Sequence, residues 1–107
     1  MVVETIDKKS CKVFRIRQGT FVDGDLNEIR DIVADHLRRG ARKVALSFND
    51  EAYPYSKLIS LIVKCDSLAK KTNSELVIIQ PNADFADVLA GTNLTAIVKL
   101  LASENDL

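Results

Sequence analysis

The chain has 107 residues, 47% of them hydrophobic and 28% charged; this suits one independently folded core of ordinary globular composition. Basic and acidic residues number 15 each, which removes any global electrostatic argument for nucleic acid or an anionic membrane. No apolar run reaches membrane-spanning length and the first residues lack the apolar stretch of a signal peptide, so the expectation is a single cytoplasmic domain over residues 1–107 without direct membrane insertion.

Val2 to Ile6 is a short strand candidate, and Asp7-Lys8-Lys9-Ser10 a polar turn. In Cys11-Lys12-Val13-Phe14-Arg15-Ile16-Arg17, Phe14 and Ile16 share one face, and Arg15 and Arg17 share the other. That alternation predicts a strand with one buried side, paired in a hairpin with Val2 to Ile6. Gly19 interrupts the pattern, and Thr20-Phe21-Val22 reads as another short extended piece before the turn Asp23-Gly24-Asp25. Asp25 is placed to cap a helix, with Glu28 as its capping-box partner. Leu26, Ile29, Val33 and Leu37 recur at helical spacing, and Gly40 suits the stop position.

Lys43 to Phe48 is apolar on both faces near its centre, as in a parallel sheet covered by helices. The following helix has a buried stripe of Leu58, Leu61, Ile62, Cys65, Leu68 and Ala69, and a wet stripe of Lys57, Ser60, Lys64, Ser67 and Lys71. Thr72-Asn73 ends it. Leu76 to Ile79 is another doubly buried strand. Phe85, Val88 and Leu89 mark a third helix closed by Gly91. Leu94, Ile97, Val98 and Leu101 fit a fourth helix, although residues 97–101 alone also fit a short strand. The polar tail from Ser103 to Leu107 is expected to fray. The order predicts an α/β fold: a mostly parallel sheet, an N-terminal antiparallel edge hairpin and about four helices.

Three segments carry a resemblance. Arg39-Gly40-Ala41-Arg42-Lys43-Val44-Ala45-Leu46 looks like a helix end, a glycine and a buried strand. Tyr53-Pro54-Tyr55-Ser56-Lys57-Leu58 joins that strand to the next helix. Asp87-Val88-Leu89-Ala90-Gly91-Thr92-Asn93-Leu94 looks like a later helix, turn and leucine. In this order, from about Cys11 to Leu101, the chain resembles the STAS domain of bacterial anti-sigma-factor antagonists. The resemblance implies the STAS fold and a protein-binding role. In that family the second serine of an Asp-Ser-Ser-Gly-Leu segment is phosphorylated by an anti-sigma kinase, and the phosphate blocks binding to the anti-sigma factor. Aligning on Leu58 places Ser56 at that serine. Pro54, Tyr55 and Lys57 stand where the family has aspartate, the first serine and glycine, and Ala45 stands where it often has an aspartate.

Ser56 is therefore either a helix cap, with its hydroxyl accepting a backbone N–H, or a phosphorylation site. Tyr53 and Tyr55 flank Pro54. Either one tyrosine packs inward and the proline stiffens the turn, or the pair forms an aromatic contact patch. Lys57, Ser60 and Lys64 form a solvated helix face or a partner-binding strip, with Ser60 the second candidate phosphosite. Asp50-Glu51 reads as a solubilising acidic pair. His36 should be half-buried at the edge of its helix's apolar face. Cys11 and Cys65 lack C-x-x-C spacing and read as reduced, small apolar residues.

With scattered glycines, one histidine and no cysteine cluster, the sequence predicts no cofactor and no metal site. The leading expectation is a non-enzymatic regulator resembling an anti-sigma-factor antagonist. It would switch partners under serine phosphorylation, its partner an anti-sigma factor or related serine kinase. The alternative is an unphosphorylated accessory subunit, as in a lipid ABC transporter. A small α/β enzyme ranks third, and oligomeric state stays open.

Overall fold

The computed structural model describes residues 2–17, 23–48, 56–79, 83–92 and 98–107. Five strands form one sheet in the order β1-β2-β3-β4-β5: β1 is Val2–Lys8, β2 Cys11–Arg17, β3 Lys43–Phe48, β4 Glu75–Ile79 and β5 Lys99–Leu101. The helices are α1, Asp23–Arg38; α2, Ser56–Lys71; and α3, Ala83–Gly91. The first pair is antiparallel and the others are parallel.

The hairpin is tighter than expected. β1 continues through Lys8, leaving only Lys9-Ser10 as the loop. Both loop residues have positive φ, 51° and 65°, the twist a two-residue hairpin turn requires even without glycine or asparagine. β2 also departs from expectation. Cys11 and Val13 are as buried as Phe14 and Ile16, so the strand has two covered faces rather than one.

Each parallel crossover steps one strand further in the same direction. Right-handed connections then lay all three helices on one side of the sheet. The main core lies there, between Phe14, Ile16, Val44, Leu46, Leu76 and Ile78 of the sheet and Ile29, Val33, Leu58, Ile62, Phe85 and Leu89 of the helices. The outer side carries a smaller cluster of Cys11, Val13, Ala45, Val77 and Ile79, to which no α-helix contributes among the described residues. β3 and β4 are doubly buried as expected, but helices cover only one of their faces.

α1 begins at Asp23, ahead of the expected cap at Asp25. It ends as expected. Gly40 has φ 99°, its N–H donates to the Leu37 carbonyl, and the Ala41 N–H donates to that of His36. This is a Schellman motif with glycine at its left-handed position. Asn73, at φ 56°, does the same for α2, with the Ser74 N–H donating to the Ala69 carbonyl at 2.8 Å.

There is no fourth α-helix among the described residues. Lys99, Leu100 and Leu101 instead pair with Val77, Ile78 and Ile79 as the edge strand. Sheet register decides what three apolar-rich residues could not. Thr20-Phe21-Val22 lies outside the described residues. The polar tail does not fray: Glu104–Asp106 forms a 3-10 turn capped by Ser103, whose side chain accepts from the Asn105 N–H.

Candidate functional site: the start of helix α2

In a parallel sheet the strands end at one edge, and the helix after each strand starts there. α2 begins at that edge with Ser56, two residues before the fully buried Leu58. Leu58, Leu61, Ile62, Cys65 and Ala69 fix the inward side of the helix. Its far end is held by the Asn73 motif and by the Ser74 hydroxyl, which donates to the Ala41 carbonyl at 2.8 Å. Along its flank, Lys70 pairs with the buried Asp66 at 2.8 Å. The start of α2 is thus anchored from behind and from its other end.

Ser56 is the first residue of α2, the position at which the sequence pattern starts this helix. The N–H groups of a first helical turn lack intrahelical partners and form the positive end of the helix dipole. The first turn of α2 contains no acidic residue to offset that polarity. A phosphate on residue 56 would meet a compatible field. Lys57, Ser60 and Lys64 are exposed, and Ser67 and Lys71 continue the exposed stripe. Tyr53, Pro54 and Tyr55 lie outside the described residues, as do Asp50 and Glu51.

One residue of this surface escaped the sequence reading. Val63 is 39% exposed, the exposed large apolar side chain among the described residues. Positions 56, 60, 63 and 67 follow the i, i+4, i+7, i+11 spacing of one helix strip. Val63 therefore lies on the strip that runs from Ser56. Its signal in the sequence was an aliphatic residue at a wet phase of the helix.

Other candidates fall away from this surface. His36 is half-buried and meets the Phe14 ring edge-on, with centroids 5.2 Å apart. Cys11 and Cys65 are buried free thiols. Burial pushes Cys65 up to about 12, with Arg30 opposing the shift slightly. Among the described residues no cluster of ligating side chains could hold a metal ion, and no helix is long and apolar enough to cross a membrane. Ala45 is fully buried between Val13 and Val77 in the outer row. An aspartate there would project among apolar neighbours.

Comparison with solved structures bears on this arrangement. The NMR structure of the Thermotoga maritima protein TM1081 superposes with a TM-score of 0.83 at 19% identity, over 99% of this chain and 85% of that one. The crystal structure of the same protein, described as a putative anti-sigma factor antagonist, gives 0.74 at 16% identity, over 97% and 89%. The chain has the anti-sigma factor antagonist fold. Bacillus SpoIIAA matches in both of its forms at 15% identity: phosphorylated, with a TM-score of 0.68 over 98% of this chain and 95% of that one, and unphosphorylated, with 0.70 over 98% and 91%. No protein-family profile and no curated protein matches the chain. The likeness is one of fold, carried at 15–19% identity, and it bears out the STAS resemblance seen in the sequence.

Proposed function

We propose that this protein is a non-enzymatic, cytoplasmic protein-binding regulator of the anti-sigma-factor-antagonist kind, switched by phosphorylation of Ser56. The observation that carries the reading is Ser56 at the first position of α2 in a chain with the antagonist fold. The partner is an anti-sigma factor or its serine kinase. The residues proposed to contact it are Tyr53, Tyr55 and Ser56, together with the helix strip of Lys57, Ser60, Val63 and Lys64.

The physics of the switch is local. Phosphorylation adds about two negative charges at the helix start. The helix tolerates them, because its N-terminal end favours anions. A docked partner surface does not, since those charges would be buried against it unpaired. SpoIIAA supports a switch without refolding: its phosphorylated and unphosphorylated structures match this chain almost equally, at 0.68 and 0.70. Pro54, Tyr55 and Lys57 require a kinase adapted to this segment.

Affinity capture from the native cell, with phosphosite mapping of the captured protein, tests the reading. The expected result is an anti-sigma factor or serine kinase retained by the unphosphorylated form, with phosphate on Ser56. A stable complex that never carries phosphate and ignores ATP would replace it with the accessory-subunit alternative.

A further inference from the structure

The outer face of the sheet poses a separate question. All three helices pack on the other side, yet Cys11, Val13, Ala45, Val77 and Ile79 are buried. Among the described residues, the partly buried side chains packed against this row are Ile6 and Leu101 from the sheet and Leu107 from the segment beyond it. That segment, 103–107, crosses the face as a strap.

Its attachments are few, and they combine charge with one apolar contact. Arg15 Nε and Nη2 donate to the two carboxylate oxygens of Glu104 at 3.0 and 2.8 Å, a bidentate fork. The Ser47 hydroxyl donates to the same carboxylate at 3.2 Å. Lys8 Nζ donates to Asn105 Oδ1 at 3.1 Å, and Lys9 Nζ donates to the Asn105 carbonyl at 3.0 Å. Leu107 then reaches the apolar row. The strap follows a strand that pairs with β4 at only three positions. Short edge segments of this kind open at low free-energy cost. Arg15 also pairs with Glu4 of β1 at 3.2 Å, and together with Lys8 and Lys9 this leaves the receiving surface favourable to an acidic segment.

We propose that the outer face of the sheet is a peptide-recognition surface that the strap occupies in cis. Its partner ligand is a segment with a glutamate for the Arg15–Ser47 fork and an aliphatic residue three positions later. This surface lies across the sheet from α2, so it is independent of the Ser56 switch.

The test is fluorescence anisotropy with a labelled peptide of residues 102–107. A variant lacking residues 103–107 should bind it saturably, at least tenfold more tightly than the intact chain, in which the strap competes. Adding Arg15→Ala to that variant should abolish binding, as should Glu104→Gln in the peptide. Where the deletion does not fold, full-length Glu104→Gln decides, because its loosened strap should leave the face open, and this variant should bind the wild-type peptide at least tenfold more tightly than the intact chain does. Equal affinity for strapped and unstrapped protein overturns the proposal. So does a folded deletion variant that ignores the peptide, including one that dimerises, which would assign the face to a second copy of the chain.

Discussion

Replacing Leu58 by alanine separates the support of the site from its contact surface. Leu58 is fully buried in the main core, two residues into the helix that Ser56 starts. Buried Leu→Ala changes cost about 2–5 kcal/mol, the spread reflecting how far the cavity collapses. The packed strands β2, β3 and β4 on one side and the fixed far end of α2 on the other limit that collapse, so about 3 kcal/mol is expected here. In a domain of this size that is a melting-point loss on the order of 10–20 °C. Lys64, exposed on the same helix, provides the control: Lys64→Ala should stay within about 0.5 kcal/mol of wild type while weakening partner binding. The assay is urea or thermal unfolding followed by circular dichroism, alongside partner titration of each folded variant. A Leu58→Ala loss below about 1 kcal/mol would refute the claim that this residue anchors the start of α2.

Ser10→Gly should raise stability by about 1 kcal/mol, because Ser10 sits at φ 65° where glycine is unstrained; a loss in urea unfolding would refute the turn geometry. Glu104 titrates below its ordinary carboxylate value because Arg15 donates hydrogen bonds to it. A depressed folded value means the pair stabilises above the ordinary value of 4.5 and loses that contribution as pH falls through the folded one. The stability gap between wild type and Glu104→Gln should therefore be larger at neutral pH than in acid, and an unchanged gap would contradict the clamp. Cys11 and Cys65, both raised by burial, should resist a thiol reagent in the native state and react at once in denaturant. Rapid native labelling of Cys65 would mean that α2 peels from the sheet.

Much of this architecture is legible in the chain. β3 and β4 read as continuous apolar runs because both their faces are covered. α1 and α2 read from apolar spacing, with Gly40 and Asn73 marking their ends because left-handed backbone suits those residues. What local pattern could not supply came from distant partners. β5 is a strand because Lys99 to Leu101 fall in register with Val77 to Ile79. The tail is ordered because Arg15, far away in sequence, meets Glu104, although its polarity alone suggested fraying. The second buried face of β2 is not legible in the chain, because Cys11 and Val13 are covered from outside the helix layer. At the candidate site, the local pattern puts Ser56 at the helix start and periodicity gives the wet stripe of Lys57, Ser60 and Lys64, while the resemblance adds only the match of Ser56 to the family's phosphorylated serine. Val63 is not legible there, because one aliphatic residue among polar neighbours carries little weight in a pattern.

The most direct test compares the affinities of the Ser56→Asp and Ser56→Ala variants for the captured partner, with circular dichroism showing both folded. The account predicts that Ser56→Ala binds as wild type does, and that Ser56→Asp binds at least tenfold more weakly with no loss of melting temperature. Equal affinities in two intact folds would contradict a charge-operated switch at the head of α2.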